Sequence, residues 1–203
     1  KILVNNSCFF RQYAIGEDSP NTRAISKVIS KALEQPFYTE MRTNQQLGYI
    51  VWSYVRNMDE TYYLNFLIQS GVYAADELNK RADAFIKQSP EILKEMTDEE
   101  FDKLIDSSVE ELEKKPMSIS ERANKLKTLI FDYSADYKRD EETIRELNNL
   151  KKETVSKILS NLIDEKTRKM INVLTFAENH ENKSGIKTSF EDLQKWKSSR
   201  TYK

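Results

Sequence analysis

Two runs of β-branched and aromatic residues on either side of a short polar stretch constrain this chain more than any other feature. Tyr49-Ile50-Val51-Trp52-Ser53-Tyr54-Val55 and Tyr62-Tyr63-Leu64-Asn65-Phe66-Leu67-Ile68 have strand composition. Asn57-Met58-Asp59-Glu60 separates them, which predicts a hairpin with a four- or five-residue loop. Ahead of the hairpin, 7–15 alternates and is rich in Phe and Tyr, as a half-buried strand would be. Asp18-Ser19-Pro20 then reads as a helix start, with Ser19 as N-cap and Pro20 in the first turn. Ile25, Val28, Ile29, Ala32 and Leu33 come next on one helical face, and Pro36 is expected to end that helix.

After Gly71 the period changes from two to 3.6. Leu78, Ala82, Phe85 and Ile86 share a face, and Pro90 is expected to interrupt or kink the helix beyond them. Thr97 with Glu100 is a capping box opening a helix through Phe101, Leu104, Ile105, Ser108, Val109 and Leu112. Pro116 breaks it, and Ser118 with Glu121 resembles a second box before a face of Ala123, Leu126 and Ile130. A later helix carries Val155, Ile158, Leu159 and Leu162, and 170–176 reads as a returning strand. Strand, helix, two strands, several helices, strand predicts an α+β fold, a largely antiparallel sheet packed against several helices on one face. With no linker and no internal repeat, 1–203 is expected to be one domain. Its core spans about 4–176. The tail 177–203, polar with two aromatic anchors in 187–190 and 196–202, is expected to pack on the domain or a neighbour.

Composition narrows the function classes. Thirty-two basic and 33 acidic residues give a net charge of −1, and no basic stripe accompanies the 10% aromatic content. Nucleic acid is therefore not an expected partner. No apolar run is long enough to span a bilayer, and compartment is left undetermined. Cys8 alone makes no internal disulfide. The chain opens on Lys1 rather than Met, which suggests a piece of a longer polypeptide whose targeting signal is not visible. The four glycines are too scattered for a phosphate-binding loop. The single histidine, His180, cannot form a two-histidine zinc motif, and it reads as a solvated surface residue without a role. The mixed-sign clusters 110–115 and 138–142 read as solvated faces, part of which could meet another domain.

The junction between the first helix and the hairpin carries polar groups that a plain connection does not need. Arg42 offers a planar fork of donors, Tyr49 a hydroxyl, and the two flank one junction. Convergent donors there could orient a peptide's carbonyls; equally, a solvated Arg and a half-buried strand Tyr would fit. Gly48 would let a backbone pass close by, or take a conformation costly to other residues.

The segment Pro36-Phe37-Tyr38-Thr39-Glu40-Met41-Arg42-Thr43-Asn44-Gln45-Gln46-Leu47-Gly48-Tyr49 resembles the Arg-Thr-x-x-Gln-Leu-Gly-Tyr segment of the insulinase/pitrilysin family of zinc metallopeptidases. Met96-Thr97-Asp98-Glu99-Glu100-Phe101, the Lys114-Lys115-Pro116 break and Phe131-Asp132-Tyr133 are similar to the same family's domain pattern. The pattern is most like the fourth, noncatalytic domain of the long single-chain members. The resemblance implies an insulinase-type fold in which Arg42 and Tyr49 hold substrate, with Tyr38 lining the same pocket. It implies a C-terminal, chamber-closing domain of a zinc metalloendopeptidase that positions peptide for a separate N-terminal catalytic half. Zinc and the catalytic base are expected in that half, because this chain lacks His-x-x-Glu-His, and the fragment alone should bind no metal and be inactive. The alternative is a noncatalytic structural or assembly subunit derived from the same fold.

Overall fold

The hairpin forms, with a tighter turn than the sequence suggests. In the computed structural model, which describes residues 5–181 with 194, 195, 197 and 198, β2 (Ile50–Met58) and β3 (Thr61–Ser70) pair antiparallel down to Met58↔Thr61. Only Asp59 and Glu60 remain in the turn, with φ of 49° and 58°. Positive φ at both central residues matches the right-handed twist of the flanking strands, so a four- or five-residue loop is unnecessary. The Asp18 N–H donates to the Glu60 carbonyl at 2.6 Å and ties this turn to the end of β1 (Ser7–Glu17).

β1 pairs with β3 on one side and with β4 (Met170–Thr175) on the other, giving the sheet order β2-β3-β1-β4 with every neighbour antiparallel. Alternate residues of the strands turn toward the helices: Phe9, Tyr13, Val51, Leu64, Phe66 and Ile68 are buried. They pack against α1 (Pro20–Tyr38), α2 (Ala75–Glu95) and α6 (Lys152–Ile163) through Val28, Leu33, Phe37, Leu78, Ile86 and Leu159. Phe37 meets Phe66 and Phe85 edge to face at ring separations of 5.1 and 5.2 Å. Helices on one face of an antiparallel sheet make this an α+β fold. On the opposite face Trp52, Ile171 and Val173 are exposed.

Pro20 and Pro116 lie where expected, in the first turn of a helix and between two helices, but Pro36 does not end its helix and Pro90 does not interrupt its own. Pro36 lies inside α1, which runs on to Tyr38 and passes directly into a π-helical turn, Thr39–Asn44. Pro90 lies buried inside an unbroken α2. Without an N–H, Pro90 leaves the Ile86 carbonyl without its helical partner. The Ser89 hydroxyl supplies the missing donor, at 2.8 Å to Ile86 O, and so the helix continues. Thr97 and Glu100 form the expected reciprocal box at the start of α3 (Asp98–Glu113). At α4 (Ile119–Phe131) the box is half formed: Ser118 Oγ accepts from the Glu121 N–H, but the Glu121 carboxylate takes the Met117 N–H.

The expected apolar face of α4 is not buried. Leu126 and Ile130 are exposed, and the side of α4 that faces α1, α3 and α5 (Arg139–Asn149) across an open cavity of about 840 Å³ carries Asn124, Lys125, Thr128 and Leu129 instead. Nor is the charged run 138–142 uniformly solvated. Arg139 is buried, pairs with Asp18 at 2.7 Å, donates to Tyr62 OH at 2.7 Å and stacks on the Tyr133 ring. His180 is tied down too: its Nδ1 lies 2.8 Å from Ser7 Oγ, which also accepts the Ala177 N–H. The tail aromatics Phe190, Trp196 and Tyr202, among which the two expected anchors fall, lie outside the described residues, as does the start of the core at Val4.

Arg11, buried in β1, donates to Asp83 at 2.6 Å and Asn79 at 2.9 Å on α2, and to Asn172 at 3.3 Å on β4. Burial pushes the Asp83 carboxyl up, but hydrogen bonds and charge from Arg11 and Lys87 outweigh it and hold the group below its ordinary value. Its contribution to stability is therefore complete above the unfolded-state value and lost as pH falls through the lower folded value. Urea midpoints should drop on acidification below the ordinary aspartate range, and Asp83→Asn should flatten that part of the profile. An unchanged acid slope in the variant would show that Asp83 does not carry it.

Candidate functional site

The site grows from the way α1 ends. In the π-helical turn the Gln45 N–H reaches back five residues to Glu40 O at 3.0 Å, and the Leu47 N–H reaches Met41 O at 2.9 Å. A widened turn of this kind is frequent at functional positions. The Glu40 side chain holds it: its carboxylate accepts from Gln45 Nε2 at 2.7 Å and Asn44 Nδ2 at 2.8 Å, which keep its pKa below the usual range. Met41 and Leu47 are buried, so the turn is anchored to the core on one side while Arg42 projects from the other. Gln46 takes a left-handed φ of 52° and redirects the chain into β2.

Gly48 is fixed by contact, not by an unusual φ. A Cβ there would sit 1.9 Å from the Gln69 carbonyl oxygen and 2.8 Å from its carbon. No side chain can be accommodated, so the chain entering β2 lies directly against the end of β3. Of the two sequence readings for Gly48, close backbone passage is the correct one.

This placement brings Arg42 and Tyr49 together. Arg42 Nη1 donates to the Gly48 carbonyl at 2.7 Å, and its guanidinium carbon lies 5.2 Å from the centre of the Tyr49 ring. The guanidinium is thus oriented by one hydrogen bond and by the ring face. Its other N–H groups and the Tyr49 hydroxyl engage no partner among the described residues, and Tyr49 is 83% exposed. Tyr38 stands one helical turn before Arg42 but is not joined to either residue by a hydrogen bond or ring contact among the described residues. It lines a groove between α1 and β2 together with Trp52. Glu40 and Gln45 had no part in the sequence reading of the site, and Gln46 entered it only as a matching residue of the motif. Their signal was present, because Glu40 and Gln45 are five apart, the spacing of a π turn.

No group of three or more His, Cys, Asp or Glu converges among the described residues. His180 Nδ1 is engaged by Ser7 Oγ, and burial pushes the half-buried Cys8 thiol up, away from the thiolate a metal needs. This donor set does not fit zinc. What the Arg42–Tyr49 pair can do is donate hydrogen bonds to carbonyl or carboxylate oxygens presented from solvent.

Residues 28–127 match the family profile described as PQQ synthase PqqF-like, C-terminal lobe domain 4. The chain is 29% identical over 139 residues to a nardilysin-like protein of Arabidopsis thaliana, covering 68% of this chain and 13% of that one. It is 27% identical over 161 residues to the insulin-degrading enzyme of Homo sapiens, covering 79% and 16%. The crystal structure of pitrilysin superposes with a TM-score of 0.79 at 19% identity, covering 87% of this chain and 19% of that one. The chain thus spans less than a fifth of the length of each of these proteins.

Gly48→Ala should cost about 1–3 kcal/mol in urea unfolding, because Gln69 O is backbone and the strand end must move to admit a methyl. A neutral substitution would mean that β2 does not enter the sheet as described. Chelation by EDTA should leave the thermal midpoint of the chain unchanged; a lower midpoint, restored by added zinc, would reveal a metal site elsewhere in it.

Proposed function

The chain belongs to the insulinase/pitrilysin family of zinc metallopeptidases as a C-terminal domain, and on that premise we propose that it positions peptide substrate for a separate catalytic domain. The observation that carries this reading is the Arg42–Tyr49 pair. Arg42 is held by the Gly48 carbonyl and the Tyr49 ring, while its remaining donors and the Tyr49 hydroxyl face solvent. A fork and a hydroxyl fixed side by side suit a peptide backbone, whose carbonyl oxygens recur at short spacing. Because these donors are oriented before substrate arrives, little ordering cost is left for the moment of binding. Tyr38 supplies an aromatic surface one turn away for a substrate side chain.

Hydrolysis is assigned to the N-terminal catalytic half of the parent polypeptide, which is expected to hold the zinc and the base. This domain closes the chamber over the peptide, binds no metal of its own and is inactive alone. The geometry at Arg42 adds a condition to any test. Arg42→Ala also removes a bond to the Gly48 carbonyl, so it perturbs the junction as well as the donor. Tyr49→Phe removes only a solvent-facing hydroxyl and should leave the fold untouched.

In the full-length parent, each substitution should lower kcat/KM by the equivalent of about 1–3 kcal/mol, with Tyr49→Phe leaving the thermal midpoint unchanged. The double variant should lose less than the sum, since both residues serve one bound peptide. Unaltered kinetics for both single variants, with intact stability and metal content, would exclude a role in substrate positioning.

A further inference from the structure

We propose that the groove between α1 and β2 receives a basic side chain of the bound peptide, with Glu34 taking its positive charge and the rings of Tyr38 and Trp52 flanking its stem; this rests on reading Arg42–Tyr49 as a peptide site. Glu34, Tyr38 and Arg42 follow one another at intervals of four, so they stand in a row along one side of α1 and the π turn that continues it. β2 runs beside that row in the opposite direction: Tyr49 lies against Arg42, and the Val55 N–H donates to Ser30 Oγ at 3.3 Å. Between those two contacts lies a groove of about 490 Å³, walled by Glu34, Tyr38, Trp52 and Tyr54. Val51 and Ser53, 1% and 3% exposed, close its floor beneath α1, so the groove offers a ligand side chains and not main chain.

Charge decides the occupant. Glu34 is exposed, makes no ion pair or hydrogen bond among the described residues, and is the one charged side chain among them that lines this groove. Its basic neighbour on the preceding turn, Lys31, is engaged elsewhere, with Glu111 at 3.3 Å and the Ser107 carbonyl at 3.1 Å. A carboxylate left without a counter-charge beside a groove favours a cation there. Tyr38 and Trp52, 42% and 55% exposed, add ring faces that attract an ammonium or guanidinium and cover the methylenes behind it. A lysine or arginine side chain supplies both parts, an apolar stem and a terminal positive charge; an acidic side chain would meet Glu34 as a like charge. At about 1.5 Å of rise per residue, Glu34 stands about 12 Å from Arg42 along the helix axis, roughly the span of four extended residues. The basic side chain is thus read at a set distance from the carbonyl that Arg42 grips.

The test titrates the 203-residue chain with two blocked nine-residue alanine peptides that differ only at the central position, lysine in one and norleucine in the other. Binding is followed by NMR at the Tyr38 and Trp52 ring signals. The lysine peptide should bind about fivefold more tightly, the size expected of an exposed ion pair flanked by an aromatic ring. Glu34→Gln should remove most of that difference and leave the affinity for the norleucine peptide unchanged. Because Glu34 is exposed and unpaired among the described residues, the variant keeps the fold. Equal affinities for the two peptides overturn the pocket, and so does a lysine preference of the same size in Glu34→Gln. The Gly48 amide and the Tyr49 ring signals report separately on the Arg42–Tyr49 site. Shifts there by both peptides without a lysine preference overturn this inference alone. Silence at all four residues with millimolar peptide overturns it together with the reading it rests on.

Discussion

The contact between Gly48 and the end of β3 governs the geometry of everything around it. With no Cβ at that position, the backbone comes close enough to Gln69 for β2 to start at Ile50 in the register Ile50↔Gln69. That register decides which residues of β2 face the core, because a one-residue slip would send Val51 and Ser53 to the other face. It also turns the Gly48 carbonyl to Arg42 and sets Tyr49 outside the last residue pair of the sheet. The oriented donor pair is a consequence of that backbone approach.

The segment just before this contact works against ordinary helix rules, and the structure compensates locally. Pro36 sits two residues from the end of α1, and the chain answers with a π turn instead of a stop. Met41 and Leu47 bury the inner side of the turn, and Glu40 clamps the outer side through two amide side chains. Pro90 poses the same difficulty inside α2, where a single serine hydroxyl restores the lost bond. In both places a side-chain donor or acceptor close in sequence carries out what the backbone cannot.

Buried charge organises the rest. Arg11 joins the central strand to α2 and β4, and Arg139 joins α5 to the hairpin turn through Asp18 and Tyr62. Each is partnered on several sides, as a guanidinium removed from water must be. These arginines hold the sheet and the helical layer in one orientation, and the α1–β2 junction inherits its position from that.

The order of elements, the N-caps at Ser19 and Thr97, the hairpin and the returning strand were all legible in the sequence, because they arise from hydrophobic period and local capping chemistry. Arg42, Tyr49 and Gly48 were legible as a motif. Their mutual geometry was not, because it depends on where Gln69 lies twenty-one residues away. Pro36 does not end α1 and Pro90 does not interrupt α2, because local propensity carries no record of burial or of a compensating hydroxyl. Reading 138–142 as a solvated face failed at Arg139 alone, whose partners Asp18 and Tyr62 lie more than seventy residues away in sequence. The face of α4 fared differently: its pattern is amphipathic, yet packing within this domain leaves Leu126 and Ile130 exposed. Sequence by itself determined the periodic elements and the chemical groups available. Only tertiary structure decided which of those groups met, since partners distant along the chain are chosen by packing and not by spacing.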